Sequence, residues 1–317
     1  MDNITHGLLG VAIGMLRRRN GGPESDRPLS DTDKAITWAT LAAAELPDID
    51  NFAGGPMDYL DIHRGWTHSL VAAPLIAAVA TLGTKLIWKK ARMGSVYLWS
   101  LAAVLFGHLF ADWLNGWGTR LLLPFSRAKL GLDWVGIVDL IVIIPLAIAA
   151  WQGWRRPALR RRNAAIVLVF LAVYAVGYRG IAHTLATGQV ARHYEGRPVA
   201  RLHVSPNLFN PLGWHYAVDL GDRYEQGAVY PWGLAAPGAP TVTARAPEDR
   251  VTAAVLAAPE LRPFFEHFKF PLISYKAVPG GYAVSLIDVR YRMAGREMVY
   301  QAELSETLAV TAVSQGF

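Results

Sequence analysis

The chain has 317 residues, 52% of them hydrophobic and only 18% charged, with a net charge of +6 and no cysteine. That is short of charge for a soluble protein, where roughly 25% is usual, and the lack of cysteine rules out disulfides and thiolate metal sites. The basic residues form short blocks beside apolar runs, at Arg17 to Arg19, Lys89 with Lys90 and Arg92, Arg155 with Arg156, and Arg160 to Arg162. This is the pattern of cytoplasmic membrane anchors, so no nucleic-acid partner is expected.

Six apolar segments follow one another at about 4–16, 35–47, 69–88, 97–114, 137–154 and 164–182. The last four approach the roughly 20 residues that cross a bilayer core, whereas the first two fit either short spans or buried, re-entrant helices. No cleavable signal peptide is expected, because the first segment has no basic start and its positive block follows it. Placing the basic loops inside puts the N-terminus outside. The start of the third segment, the end of the fourth and everything after the sixth are then outside as well. Beyond about residue 185 the composition changes. "RPVARLHVSPNLFNPLGWHYAVDL" and "GGYAVSLIDVRYRM" alternate as half-buried strands, and "APEDRVTAAVLAAPELRPFFEHF" reads as one or two helices with a boundary near Pro263. The expected fold is therefore mainly α: a polytopic helical membrane domain over residues 1–185, then a small α+β extracytoplasmic domain over 186–317.

The histidines and aspartates fall on this map in one place. His6 opens the first segment, Asp48 and Asp50 close the second in "ELPDID", His63 and His68 precede the third in "HRGWTHS", His108 and Asp112 close the fourth, and Asp139 opens the fifth. All fall on the outer side of a topology drawn from Lys and Arg alone. His108 and Asp112 are spaced i, i+4 and share a helix face, and ionisable groups at membrane depth usually mark a site. Imidazole with carboxylate suits zinc, with manganese or iron also open, and without cysteine such a set points to a catalytic centre that acidifies water. The candidate ligands are His6, Asp48, His63, His68, His108 and Asp112. Asp48 and Asp50 are also candidates to take a proton from water, though turn chemistry explains aspartates there equally well. Arg64 is a candidate for gripping a substrate phosphate or for anchoring at the headgroups. Asp139 could orient a ligand histidine, bind metal or pair with an arginine. His183, His193, His203, His215 and His267 lack ligand spacing, and His193, His203 and His215 read as ordinary surface or core residues.

"MDNITHGLLG", "LPDID", "HRGWTHS", "GHLFADWLNGWG" and "LLLPFSRAKLGLDWVGIVDL" together resemble the YdjM-like family of predicted membrane-bound metal-dependent hydrolases of bacteria. The likeness covers most of the first 185 residues, and "SPNLFNPLGWHY" is similar to a tail domain found on many members. It implies a bacterial inner-membrane protein remotely similar to zinc-dependent phospholipase C. The ligands it implies are His6, Asp48 or Asp50, His63 or His68, and His108 with Asp112. The later His and Glu of the three-metal phospholipase cluster have no counterpart here, so one or two divalent ions are implied. The expected activity is hydrolysis of a phosphoester in a lipid or lipid-linked substrate, with Asp48, Asp50 and Arg64 catalytic. The rivals are a non-catalytic metal-binding or transport protein, and a membrane protein whose polar residues only lock helices together.

Overall fold

The computed structural model describes residues 1–17, 28–207, 210–233, 237–291 and 298–316. Arg18 and Arg19 of the first basic block, and part of the "SPNLFNPLG" stretch, lie outside the described residues. The chain divides into two compact units, one of residues 1–51 with 64–182 and the other of residues 52–63 with 183–317.

In the first unit, helix α1 (Asn3–Met15) starts where the Asp2 side chain accepts from the Thr5 amide at 3.1 Å. Helix α2 (Asp31–Glu45) starts on a reciprocal capping box between Ser30 and Asp33 and passes into a 3-10 turn at Leu46–Phe52. In the second unit, α3 (Pro56–Ile62) packs on the C-terminal helix Arg262–His267 and the last strand. Helices α4 (Ala73–Lys85), α5 (Met93–Trp113), α6 (Leu140–Arg155) and α7 (Pro157–His193) follow in chain order.

Two of these helices, α5 and α7, are long and apolar enough to cross a membrane, or three if Pro56–His68 and Ala73–Lys85 form one broken span. This differs from the six segments read from the sequence. Helix α6 has 16 residues and α4 has 13. At 1.5 Å per residue these reach about 24 and 20 Å, against a hydrocarbon core of about 30 Å. Hydropathy runs on into loop residues that are apolar but not helical, and so overstates helix length.

Glycines let α1 lie close to its neighbours. A Cβ on Gly10 would fall 2.4 Å from the Thr40 carbonyl oxygen of α2. One on Gly107 of α5 would fall 3.2 Å from the Ile13 side chain and 3.4 Å from the Gly10 nitrogen. Backbone thus approaches backbone, as small residues permit between apolar helices. Leu9, Ala12, Val142, Leu146, Val167 and Leu171 form one buried cluster, and Ile13, Ala43, Ala77, Val104 and Leu109 form another. At the far end of α2, Arg17 pairs with Asp33. Arg160, part of a basic block that reads from the sequence as a cytoplasmic anchor, is 4% exposed and donates to Thr37 Oγ1 at 2.6 Å.

The second unit carries two four-stranded antiparallel sheets, each in sequential order. The first contains β1 (Arg201–Pro206), β2 (Trp214–Asp219), β3 (Arg223–Val229) and β4 (Thr241–Ala244). The second contains β5 (Pro271–Val278), β6 (Gly281–Asp288), β7 (Val299–Ser305) and β8 (Val310–Gly316). Helices α8 (Arg250–Ala257) and α9 (Arg262–His267) lie between the sheets in sequence. Pro263 sits in the first turn of α9, where its missing N–H costs nothing. Ala217, Tyr224, Phe270 and Val289 form a buried cluster.

Candidate metal centre

Asp48, His68, His108 and Asp112 come together, each buried, and each offers one ligand atom within 4.8 Å of the others, so the group could hold a metal ion. They arrive from three places. Asp48 lies on the 3-10 turn that ends α2, where Pro47 stops the α-helix. His68 closes a short turn, Trp66–His68. His108 and Asp112 lie near the end of α5, but the helix there is not uniformly α: Ala103–Leu109 is π-helical. Such bulges frequently occur at functional sites.

The ring orientations are fixed by backbone and side-chain acceptors. His108 Nδ1 donates to the Ala44 carbonyl at 2.6 Å, and His6 Nδ1 donates to the Gly107 carbonyl at 3.0 Å. A carbonyl can only accept, so the proton of each neutral ring resides on Nδ1 and the Nε2 lone pair points away. His68 Nδ1 lies 3.0 Å from Thr67 Oγ1 and 3.3 Å from Asp50 Oδ2. The three Nε2 atoms turn toward the carboxylates. His68 Nε2 is 3.2 Å from Asp48 Oδ1 and 3.4 Å from Asp112 Oδ2. His108 Nε2 is 3.7 and 3.6 Å from the same two oxygens, and His6 Nε2 is 3.2 Å from Asp112 Oδ1.

These residues fit a metal ion. His68 Nε2 and His108 Nε2 are 3.0 Å apart, a separation that two imidazole nitrogens hold with a proton or a metal ion shared between them. His6 Nε2 and Asp112 Oδ2 are buried without a hydrogen-bond partner, which costs about 1–3 kcal/mol for each such group unless it is satisfied. The donors are two imidazoles and two carboxylates, with a third imidazole stacked on His108 at 3.9 Å. That set suits zinc and other first-row divalent ions.

Around the four, further side chains hold the ligands. Asp50 Oδ2 accepts from the Arg64 amide at 3.1 Å and from the Thr67 hydroxyl at 2.5 Å, besides facing His68 Nδ1. It faces the His68 ring from behind, where a carboxylate fixes the ligand tautomer, and it also offers an oxygen within 4.8 Å of an Asp48 oxygen. Arg64 does not reach outward as a phosphate grip would. It is 3% exposed, with Nη2 2.9 Å from Asp112 Oδ1 and Nη1 donating to Asn115 Oδ1 at 2.8 Å. Its backbone sits at φ +59°, in the left-handed region. The Met1 amino group also contacts Asp112 Oδ1.

His63 belongs to the second unit, where its ring stacks on Tyr59 at 4.7 Å. Asp139, read as a possible support for a ligand histidine, caps α6 by accepting from the Ile141 amide at 2.9 Å and accepts from the Tyr174 hydroxyl at 2.9 Å. A carboxylate at the start of an apolar run is explained by that capping alone. Thr67 and Asn115 were missed in the sequence. Their adjacency to His68 and Asp112 is the only signal, and it becomes legible only once Asp50 and Arg64 are known to be their partners.

A model of a family described as YdjM inner membrane protein matches residues 1–187, which include all of these residues. The chain belongs to that family. Among curated proteins, this YdjM-family chain is 31% identical over 173 residues to the uncharacterized protein YfhP of Bacillus subtilis (strain 168), covering 53% of this chain and 52% of YfhP. It thus spans about half the length of that relative. No solved structure matches it.

Proposed function

We propose that this YdjM-family protein is a membrane-bound metal-dependent hydrolase of a phosphoester in a lipid or lipid-linked molecule. It would sit in the bacterial inner membrane with several crossings, its metal centre and C-terminal domain on the extracytoplasmic side. Asp48, His68, His108 and Asp112 are the ligands, with His6 beside them, and zinc is the ion their donor types suit best. The observation that carries this reading is the meeting of four buried ionisable side chains, with imidazole Nε2 atoms turned on one another.

A divalent ion held there supplies Lewis acidity and charge neutralisation for attack of water on an ester. The chain's own residues divide the remaining work. Asp48, whose Oδ1 faces both histidines, is the carboxylate nearest to take a proton from water. Asp50 and Thr67 hold His68 in one tautomer. Arg64 neutralises Asp112 Oδ1 and so leaves Oδ2 as the ligating oxygen. Support for a lipid-borne substrate comes from apolar side chains on the segments carrying the site. Trp66 is 62% exposed, Val71 57% and Phe125 87%, and the Leu70 amide ties two of these segments together by donating to the Leu121 carbonyl at 3.0 Å.

The test has two parts. Elemental analysis of purified protein, with His108→Ala alongside, is expected to find a divalent metal in the first and loss of it in the second. Assay against phospholipids and soluble phosphodiesters is expected to show turnover by the wild type alone. Metal without turnover of any ester would leave a metal-binding protein and remove the hydrolase.

A further inference from the structure

The first sheet of the C-terminal unit has a polar face with a hollow in it. Antiparallel register sets Ser205 beside His215 and His215 beside Ala228, and sets His203 beside Ala217 and Ala217 beside Gln226, with Thr241 next to Gln226. Because side chains alternate along a strand, these residues share one face. The two alanines leave a floor, and the longer side chains stand around it. The result is a cavity of about 390 Å³ lined by His203, Ser205, His215, Gln226, Thr241 and Arg290 among others. That size is within the range of small-ligand sites. Nothing in the metal reading uses it.

Its chemistry leans one way. Among the described residues no carboxylate lines the cavity. Arg290 is held rigidly. Its Nε and Nη2 contact Asp288 at 2.9 to 3.1 Å, and its guanidinium lies 4.9 Å from the Tyr291 ring centre. The charge of Asp288 is spread over the amides of Lys269, Phe270 and Arg290, which donate to it at 2.9, 3.2 and 2.9 Å. The Arg290–Asp288 pair is neutral as a whole, but the guanidinium lines the cavity and the carboxylate does not. Burial first, then the nearby charges of Arg290, Lys269 and His183, hold His203 well below the ordinary histidine range. Burial lowers His215 in the same direction. Both rings are therefore neutral near pH 7. Hydroxyls, two imidazoles and a fixed guanidinium surround a carboxylate-free hollow, with the Gln226 amide donating to the Val289 carbonyl at 2.5 Å, and such a set suits an oxyanion.

We propose that this cavity binds a phosphate group, either as free inorganic phosphate or on a small phosphomonoester. The proposal is independent of the metal centre. The test is calorimetric titration of the full chain in detergent micelles, after metal removal by chelation, with three probes: inorganic phosphate, glycerol 3-phosphate and glycerol. Saturable one-to-one binding is expected for at least one phosphate probe and none for glycerol, and the stronger of the two identifies the source. His215→Ala and Ser205→Ala are each expected to weaken binding about tenfold, as loss of a hydrogen bond to a charged group does. Arg290→Gln is expected to abolish it. Because Arg290→Gln also unpairs Asp288, the His215 and Ser205 variants carry the decision. His108→Ala is expected to leave the affinity unchanged. No saturable phosphate binding, affinity that survives both His215→Ala and Ser205→Ala, or affinity lost in His108→Ala would each overturn the proposal.

Discussion

His68 and His108 turn their Nε2 atoms on each other at 3.0 Å, while Thr67 and the Ala44 carbonyl hold their Nδ1 atoms from behind. Two rings arranged this way, with Asp48 and Asp112 alongside, gain from a divalent cation. An ion that binds only the folded state raises its stability by mass action. Chelation is thus expected to lower the melting temperature of the wild type, and readdition of zinc to restore it, while His108→Ala shows neither response. Asp50→Asn keeps the ligands but weakens the support behind His68, so metal affinity is expected to fall about 10–100-fold. Titration with a competing chelator measures this. Affinity unchanged in Asp50→Asn would remove Asp50 from the site.

Much of this arrangement was legible in the sequence, for a physical reason. Ionisable groups at the ends of apolar segments must find partners, and that alone singles out His6, Asp48, His68, His108 and Asp112. His108 with Asp112 was visible through its spacing, although the π-turn beneath it was not, since no residue type marks one. Asp48 and Asp50 could not be told apart, because a 3-10 turn and an α-turn aim residues two apart in different directions. Arg64 was read as reaching outward because an arginine between histidines looks available, but its left-handed backbone and its pairing with Asp112 depend on the fold. In the C-terminal unit the strands at 201–206, 214–219 and 281–288 and the helices around Pro263 followed from alternation and proline placement. His203 and His215 read as ordinary residues, because strand register alone makes them neighbours on one face.

Gly10→Ala tests the close approach of α1 to α2. Helix propensity favours alanine by about 1 kcal/mol. Sterics oppose it, since the added Cβ would lie 2.4 Å from the Thr40 carbonyl oxygen, a backbone atom that cannot swing aside. Overpacking costs about 1–3 kcal/mol, so net destabilisation is expected, together with weaker metal binding because α1 carries His6. Thermal melts in detergent with metal titration check both.

Arg64→Ala removes the guanidinium that faces Asp112 and Asn115 at 2.9 and 2.8 Å. Breaking a buried ion pair from one side costs about 3–5 kcal/mol. Arg64→Gly deletes the same interactions but relieves the left-handed backbone at φ +59°, which costs an L-residue about 1–2 kcal/mol. The glycine variant is therefore expected to be the more stable of the two by roughly that amount, measured by chemical unfolding. Equal stability would mean that the backbone there relaxes when the side chain is lost.

The C-terminal unit has its own pH dependence. Hydrogen bonds from Arg197, then from Arg223 and Tyr194, pull Glu225 down from 4.5 to about 2 against the effect of burial. The folded state thus binds this proton less readily than the unfolded chain. The stabilisation is fully present above about 4.5 and is lost as pH falls toward 2. Its ceiling is about 3 kcal/mol. The real value is smaller, because Arg197 and Arg223 are 35% and 38% exposed and water screens them. Protection factors of the β2 and β3 amides, corrected for the intrinsic exchange rate at each pH, are expected to fall over that window in the wild type, and the fall to shrink in Glu225→Gln.

The chain contains no cysteine, so single cysteines can report its topology without further changes. Helix α5 separates Lys89, which is exposed, from Phe125, 87% exposed. With 21 residues it is long enough to cross the bilayer core. If the basic loop that holds Lys89, Lys90 and Arg92 is cytoplasmic, Lys89→Cys is expected to resist a membrane-impermeant maleimide in intact cells, and Phe125→Cys to react. Labelling of both from outside would remove α5 as a crossing. The reverse pattern would place the His68 and His108 cluster at the cytoplasmic face, where a substrate in the outer leaflet could not reach it.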